Sequence, residues 1–353
     1  MINGADILPS FGSIILYTRY PLLFIALVNM DLKEKVIGKF ILLFLLLIIL
    51  QIPECTLRYL LGGVYGDHIS WSLGPWGQFD LGIYAMYTLC LSVANGVVKG
   101  FKIMHLIFIG FLFILALLGE IKAFLLASPI VVIITIYFSL RQKKAKGRLL
   151  AVVLPLLSVV ILYYAIHVWG YVHRESSDML AVYFEKVTQI FKNPTIFFHT
   201  EEVDATSSRI FGSAYIWGYL RRDWKMILFG AGPGSLLAGN FLGNPGKIFD
   251  VVPYLNQLSV TLGETGVVGL VIYLWMLINI FRKIIFVNKT ALSDKNHILS
   301  AALIGMWFFY TILGPIYDLV WRHDSPNFIF YVLIAYLYSS FVYKTNSPKN
   351  VPV

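Results

Sequence analysis

A basic and aromatic stretch in the middle of the chain is suited to binding an anionic group. Residues 206–225 read TSSRIFGSAYIWGYLRRDWK, and the cations in this stretch are Arg209, Arg221, Arg222 and Lys225. Guanidinium and ammonium groups bind phosphates, and aromatic rings beside them are typical of a membrane interface. Two interpretations stay open, because such cations bind either the headgroups of anionic lipids or the phosphates of a substrate.

A glycine-rich stretch follows at once, reading LFGAGPGSLLAGNFLGNPG over residues 228–246. Gly230, Gly232 and Gly234 alternate with other residues, and glycine lets backbone amides approach an anion closely in conformations with positive φ. We interpret the stretch as a tight turn that binds an anion, with a plain flexible loop as the alternative. A nucleotide-binding loop is excluded, because no Gly-Lys-Ser/Thr follows the glycines.

Two histidines stand beside charged residues and are candidates for proton transfer. His323 lies between Arg322 and Asp324, and His199 is followed closely by two glutamates. An imidazole titrates near neutral pH, which suits a general base that removes a proton from an attacking hydroxyl. A solvated loop histidine is the alternative interpretation at both positions.

The composition of the chain is that of a membrane protein. Of its 353 residues, 58% are hydrophobic and only 13% are charged, and the mean hydropathy is +0.75. A soluble fold cannot cover so much apolar surface with so few charges. The two cysteines, Cys55 and Cys90, form neither a disulfide framework nor a metal-binding spacing. We therefore expect no metal and no cofactor, and the location of the net charge of +9 at one membrane face argues against a nucleic-acid partner.

Apolar runs long enough to cross a bilayer predict nine membrane-spanning helices. They fall near residues 11–30, 38–53, 79–97, 102–118, 122–140, 149–169, 256–281, 298–317 and 326–343. Helix is the expected structure because each span must satisfy its own backbone hydrogen bonds in lipid. The fold class predicted is an all-α, polytopic membrane helix bundle. Arg19 lies within the first span, and we interpret it as a candidate cavity residue.

The distribution of Lys and Arg predicts the orientation of the chain. One set of short loops holds sixteen: Lys33, Lys35, Lys39, Lys99, Lys102, Arg141, Lys143, Lys144, Lys146, Arg148, Arg282, Lys283, Lys289, Lys295, Lys344 and Lys349. The opposite short connections hold three: Arg58, Lys122 and Arg322. Because positive residues are retained on the cytoplasmic side, we expect the N-terminus outside and the C-terminus in the cytoplasm.

One connection, residues 170–255, is 86 residues long and is predicted to be a functional extracytoplasmic loop. Its segment 178–193 has apolar residues at helical spacing and reads as an amphipathic helix on the membrane surface. This loop divides the chain into three parts: a six-span bundle over 1–169, the loop itself, and a three-span bundle over 256–353.

Several motifs in this order resemble the C-terminal signature of bacterial O-antigen ligases and of O-antigen or exopolysaccharide polymerases. In that family, a loop-borne arginine and a G-x-G-x-G turn precede H-N-x-x-L and E-x-G-x-x-G-L at the head of a span. The turn matches LFGAGPGS, and the last block matches PYLNQLSVTLGETGVVGLVIYL through Asn256, Glu264, Gly266 and Gly269. Glu264 also stands where a carboxylate can balance a helix dipole, which is its structural alternative.

Two cations match the family by position. Arg209 follows Ser208 as the loop-borne arginine, and Lys122 in LGEIKAF resembles the basic residue that the family carries at the outer start of a span. The matching stretches cover about residues 115–290. Lys122 beside Glu120 is also explained as a snorkelling or ion-paired residue.

The resemblance implies a transferase that acts on a glycan carried by undecaprenyl diphosphate at the outer face of the bacterial cytoplasmic membrane. Arg209 and Lys122 would hold the diphosphate, with Arg221, Arg222 and Arg322 as further candidates. The diphosphate-linked glycan and membrane lipids are the partners expected, with flippase and chain-length regulator proteins as candidate protein partners.

One departure from the family concerns the residue before Asn256. Ligases carry a histidine there, proposed to act on the acceptor hydroxyl, and this chain carries Leu255. The chain also has fewer predicted spans than family members commonly have. We therefore expect a polymerase, with a ligase that transfers to a lipid or protein acceptor as the near alternative. A transporter or flippase of lipid-linked sugars is the alternative from another class.

Overall fold

A computed structural model gives the architecture of the chain, and helix is the only regular structure among the residues it describes. Those residues are 7–30, 32–62, 77–119, 121–141, 153–161, 212–213, 216–236, 255–291, 293–317 and 324–346, with single residues at 69, 73, 163 and 321. The predicted all-α fold class is confirmed for this part of the chain. The predicted amphipathic helix at 178–193 lies outside it.

Ten helices are named here in chain order. They are α1 (Ile7–Val28), α2 (Glu34–Gly62), α3 (Gln78–Lys99), α4 (Ile103–Leu118), α5 (Lys122–Ser139), α6 (Trp224–Phe229), α7 (Gln257–Thr290), α8 (Asp294–Phe308), α9 (Gly314–Tyr317) and α10 (Asp324–Asn346). A π-helical turn, Phe309–Leu313, separates α8 from α9.

Five of the described helices are long and apolar enough to cross a membrane. They are Ser10–Val28, Glu34–Gly62, Gln78–Lys99, Gln257–Thr290 and Asp294–Ile316. Two shorter apolar helices, Ile103–Leu118 and Ala123–Ser139, coincide with the fourth and fifth predicted spans. The ninth predicted span lies inside α10, whereas most of the sixth lies outside the described residues. The number nine therefore stays a prediction, and the membrane-spanning character of several helices is what the structure supports.

The chain divides into two compact units. The first comprises Met1–Tyr17, Val159–Met276 and Gly314–Trp321; the second comprises Thr18–Ser158, Leu277–Leu313 and Arg322–Val353. The boundaries fall inside α1 and α7, so each of these helices contributes one segment to each unit. The predicted division at residues 169 and 255 is a different grouping, and it stays a prediction.

The second unit is built around α3, which is buried along nearly its whole length and packs most extensively on α5 and α8. Most of its side chains are buried, as expected for a helix in the centre of a bundle. A glycine sets the distance between helices, because a Cβ at Gly305 of α8 would overlap the hydroxyl of Thr135 on α5. Small residues at such crossings let helix backbones approach closely in membrane bundles.

Polar side chains join the helix ends at one end of the second unit. The ring of His297, which is buried, lies 3.1 Å from the carbonyl oxygen of Ser139 through Nε2 and 3.3 Å from that of Asn288 through Nδ1. The Asn288 amide also donates to the Ser300 hydroxyl at 2.9 Å. These contacts connect the ends of α5 and α7 to the start of α8. Backbone carbonyls at the ends of α5 and α7 lack partners within their helices, so the polar side chains stabilise them.

The first unit contains a break in α7. Gly266 has φ of 67° and ψ of −170°, so a short helical segment up to residue 265 and a long one from residue 267 meet at a non-helical residue. An apolar cluster lies beside this break and contains Ile216, Leu220, Ala231, Leu236, Leu255 and Val260. The predicted seventh span is thus a discontinuous helix rather than a continuous one.

Candidate functional site

The glycine-rich turn has a backbone that only glycine adopts readily. Gly230, Gly232 and Gly234 have φ values of 72°, 102° and 85°, in the left-handed region where a Cβ is strained. The turn follows α6 directly, and the amide of Gly230 closes that helix by donating to the carbonyl of Met226 at 2.7 Å. The alternation of glycines in the sequence therefore corresponds to an alternation of backbone conformation.

This turn docks on the break in α7. The amide of Ala231 donates to the carbonyl of Gly263 at 2.7 Å, and the amide of Gly232 donates to the carbonyl of Glu264 at 3.1 Å. Carbonyls at the end of a helical segment have no partner in the helix, so an external donor stabilises them. We call this contact the glycine junction, defined as residues 228–236 together with residues 263–266.

The two backbones of the junction approach so closely that side chains are excluded from both. A Cβ at Gly230 would overlap the backbone of Glu264 and Gly266, and a Cβ at Gly266 would overlap the backbone of Leu228. Gly266 is also in the left-handed region. Each glycine is therefore required twice, for its φ and for the space that its missing side chain leaves.

Glu264 anchors the junction with a fully buried carboxylate. Its Oε2 accepts hydrogen bonds from the hydroxyls of Ser13 at 2.8 Å and Tyr17 at 3.1 Å, both on α1. Its Oε1 lies 3.3 Å from the amide of Leu236, which donates from the end of the turn. Burying a carboxylate is unfavourable unless donors replace water, and here α1 and the turn supply them. Glu264 thus joins three segments of the first unit.

Most amides of the turn donate to acceptors inside the protein. Besides the amides of Gly230, Ala231 and Gly232, that of Ser235 donates to the Gly232 carbonyl at 3.2 Å, and Leu236 donates to Glu264. The role that the structure gives these glycines is close backbone packing. The assignment of Gly230, Gly232 and Gly234 to substrate binding stays a prediction.

Asn256 and Leu255 lie at the start of α7. The side-chain oxygen of Asn256 accepts from the amide of Ser259 at 2.8 Å and from its hydroxyl at 2.6 Å, which is the geometry of a helix N-cap. Leu255, at the position of the ligase histidine, is buried in the apolar cluster of this unit. An apolar side chain therefore occupies the position of the ligase histidine. Asn256 caps α7, and its contact with substrate stays a prediction.

The basic residues around α6 are exposed. Arg221, Arg222 and Lys225 all face outward, and the guanidinium of Arg222 lies 5.5 Å from the ring centre of Tyr219. Asp223 accepts from the Lys225 amide at 3.0 Å and so caps α6. Trp217 and Trp224 are exposed beside these cations. The predicted combination of cations and aromatic rings is exposed in this segment.

Five predicted site residues fall wholly or partly outside the described residues. Arg209, His199, Arg322 and His323 are among the residues whose placement is not described. Lys122 is the first residue of α5, as the resemblance implied for a cation at a span start, but its side chain is not described. The roles predicted for these five residues remain predictions.

Sequence reasoning missed Ser13 and Tyr17 as partners of Glu264. Both were counted only as members of the first apolar span. A signal was present, because Ser10, Ser13 and Tyr17 follow helical spacing and place hydroxyls on one face of α1. Their partner, Glu264, lies 247 to 251 residues further along the chain, so no local sequence pattern indicates the contact.

Among the described residues, no group of three or more His, Cys, Asp and Glu side chains is placed to hold a metal ion. No protein-family model, no curated protein and no solved structure matches the chain.

Proposed function

We propose that this chain is an integral-membrane glycosyltransferase that polymerises oligosaccharide repeat units carried on undecaprenyl diphosphate. The proposal includes the placement of the reaction at the outer face of the bacterial cytoplasmic membrane and the independence of the reaction from metals and cofactors. It rests on the resemblance of four motifs in order, and on the membrane-spanning character of several helices.

The observation that carries the proposal is the glycine junction. The two most distinctive blocks of the resemblance, LFGAGPGS and LGETGVVG, are separated by more than twenty residues in the sequence. In the structure, they contact each other backbone to backbone through Gly230, Glu264 and Gly266. Motifs that match by chance have no reason to form one tightly packed unit, so the contact supports treating them as one signature.

The proposed reaction needs a cationic site and a base. A hydroxyl oxygen of the acceptor glycan attacks the anomeric carbon of the donor, the bond from that carbon to the diphosphate oxygen breaks, and undecaprenyl diphosphate leaves with the electron pair. We assign Arg209 and Lys122 to the diphosphate, with Arg221, Arg222 and Arg322 as further cations. The hydroxyl proton passes to a base, for which His323 and His199 are the candidates.

Burial of Leu255 favours a polymerase over a ligase. The ligase histidine would have to present a polar ring to the acceptor, whereas Leu255 packs with Ile216, Leu236 and Val260 in the apolar cluster. A base at this position would need a different local structure. The general base of this chain therefore lies elsewhere, and a transferase whose acceptor is another repeat unit is the better match.

The break in α7 is also compatible with a function of another class, the transport of lipid-linked sugars. Transporters often use discontinuous membrane helices to bind their substrates. Gly266 divides α7 in this way, which is the observation that favours a transporter or flippase of lipid-linked sugars. In the polymerase interpretation, the same break serves to dock the turn of residues 230–236.

Deletion of the coding sequence separates these functions by the intermediate that accumulates. Loss of a polymerase leaves single repeat units on the cell surface, loss of a ligase leaves long chains on the carrier lipid, and loss of a flippase leaves the intermediate inside the cell. We expect single surface repeats. Long carrier-linked chains or intracellular repeats would replace the proposed function with one of the alternatives.

Complementation with variants tests the assigned cations. With Arg209→Ala or Lys122→Ala, we expect chain formation at a rate reduced by about a hundredfold or more. Each variant removes a cation that stabilises the negative charge developing on the diphosphate leaving group. Lys35→Ala is the matched control, since Lys35 is an exposed cation in the first turn of α2, at the membrane face predicted to be cytoplasmic. Chains of normal length with both site variants would remove the site assignment.

A further inference from the structure

The second unit contains an ion pair that sequence reasoning had not connected. Arg19 of α1 donates from Nη2 to Oδ1 of Asp324, the first residue of α10. Their side chains are 27% and 67% exposed, so the pair lies at the protein surface although Arg19 is within an apolar helix. Ionisable residues inside membrane helices are costly and therefore usually serve a function.

Tyr20 fixes the carboxylate of Asp324 in position. Its hydroxyl lies 2.7 Å from the backbone oxygen of Asp324 and 3.2 Å from Oδ1, and its ring stacks on Tyr331 at 5.9 Å. The guanidinium of Arg19 lies 4.7 Å from the centre of the same ring. Both side-chain contacts of Asp324 use Oδ1, and none of the described residues donates to Oδ2. Oδ1 is thus held by Arg19 and Tyr20, whereas Oδ2 has no donor in the part of the chain that the structure describes.

A second carboxylate and a hydroxyl extend this cluster. Ser325, next to Asp324, donates to Oδ2 of Asp80 in the first turn of α3 at 3.2 Å. Among the described residues, these contacts connect two carboxylates, those of Asp80 and Asp324, and the guanidinium of Arg19. Carboxylate oxygens accept hydrogen bonds and the guanidinium donates them, so groups that both donate and accept suit the cluster well.

A buried amide on the same face of α10 as Asp324 suits a ligand with both donors and acceptors. Asn327 is fully buried, and neither atom of its amide has a hydrogen-bond partner among the described residues. It lies on α10 one turn beyond Asp324, and between Asp324 and Tyr331, the two α10 residues that Tyr20 contacts. An unpartnered buried amide is unfavourable, so a ligand group that forms hydrogen bonds with it is stabilised.

We propose that Arg19, Asp80, Asp324 and Asn327 form a saccharide site that binds the hydroxyl groups of the acceptor glycan. Sugar hydroxyls both donate and accept, which matches carboxylate oxygens that accept beside an amide and a guanidinium that donate. Its two carboxylates distinguish this set of residues from the cations assigned to the donor diphosphate. The identification of the sugar as the acceptor rests on the proposed glycosyl transfer.

The test uses the purified full-length protein and the methyl glycoside of the native repeat unit, which can accept but has no diphosphate leaving group. Asp324→Asn is expected to raise the acceptor KM by about tenfold or more, because it removes the charge that strengthens a bond to a hydroxyl, while the donor KM stays within twofold. Glu34→Gln is the matched control, since Glu34 forms another exposed ion pair of this unit, with Lys295. An acceptor KM for Asp324→Asn within twofold of the parent would overturn the site.

Asn327→Leu separates ligand binding from packing. Leucine has the same number and branching of heavy atoms and removes the unpartnered amide, so a purely structural asparagine predicts an unchanged or raised Tm with an unchanged acceptor KM. We expect an unchanged or raised Tm together with an acceptor KM raised by about tenfold. An acceptor KM that stays at the parent value in this folded variant would contradict the assignment.

A binding readout keeps this site distinguishable from the proposed reaction. Saturation transfer from protein to the methyl glycoside, observed by NMR, requires no turnover. Saturation transfer that is seen with the parent and lost in Asp324→Asn would support the site. If the parent formed no polymer in the same experiments, the proposed function would be contradicted while the site would stand. Polymer formation by the parent with equal saturation transfer in both proteins would end the site alone.

Discussion

At the scale of single residues, Glu264 shows how a charge is kept inside an apolar protein. Its carboxylate has no exposure, and the hydroxyls of Ser13 and Tyr17 and the amide of Leu236 take the place of water. Bonds to a charged acceptor are stronger than neutral ones. The carboxylate therefore stabilises the contact between α1 and the turn more than a neutral acceptor would.

Tyr17→Phe tests this network, because it removes one donor without changing the ring. We expect a loss of about 1.5–3 kcal/mol in the free energy of unfolding, the usual contribution of a hydrogen bond to a charged group. Combined with Glu264→Gln in a double-mutant cycle, followed by thermal unfolding in detergent, the two losses should be less than additive. Strict additivity would show that the hydroxyl and the carboxylate do not interact.

Gly230→Ala and Gly266→Ala are each expected to destabilise the protein by about 2 kcal/mol or more. Each variant places a Cβ on a residue with left-handed φ, and that Cβ overlaps neighbouring backbone. Gly110→Ala is the matched control: Gly110 is helical and has nothing within 4 Å of a Cβ, so alanine should stabilise it by about 0.5–1 kcal/mol. Thermal unfolding of the three variants provides the measurement. Equal Tm values for all three would contradict the close approach at the junction.

The residues of the site could be predicted from the sequence only in part. Alternating glycines at 230, 232 and 234 indicated a turn with positive φ, which the structure contains. Their contact with Glu264 and Gly266, and that of Glu264 with α1, depends on tertiary packing that leaves no periodic pattern. The ion pair of Arg19 with Asp324 is of the same kind, because the two residues are 305 positions apart.

At the scale of elements, hydropathy located several helices well but not their internal breaks. The predicted second span, 38–53, is the centre of α2, which extends over Glu34–Gly62 because flanking polar residues remain helical beyond the apolar run. The break at Gly266 was missed, since a window of mean hydropathy averages over a single residue. It is visible only in the backbone angles.

Gly305→Ala tests how α8 packs between its neighbours. A Cβ there would overlap the Thr135 hydroxyl and lie 3.0 Å from the Cys90 sulfur, so we expect a loss of about 1–3 kcal/mol from overpacking. Thr135→Ala in the same chain should recover part of that loss, because it removes the overlapping hydroxyl. Unfolding in detergent measures both effects. A Gly305→Ala variant with the parent Tm would show that α8 and α5 are further apart.

At the scale of the whole molecule, the charge distribution makes a prediction about orientation. Sixteen Lys and Arg residues in one set of short loops against three in the other predict that residues 170–255 face the outside. Cysteines introduced at Ser177 and at Ser293 should react with a membrane-impermeant maleimide in intact cells only at the first position. Because Cys55 and Cys90 are buried, the native background should be low. Labelling at Ser293 alone would invert the topology.

The central claim is glycosyl transfer between lipid-linked repeat units, and a reconstituted reaction tests it most directly. Purified protein in liposomes is incubated with undecaprenyl-diphosphate repeat units, and the products are separated by size. We predict a ladder of products that differ by one repeat, with free undecaprenyl diphosphate released in equal amount to the bonds formed. Single repeats that remain unchanged with an active, folded preparation, or that only cross the bilayer, would contradict the claim.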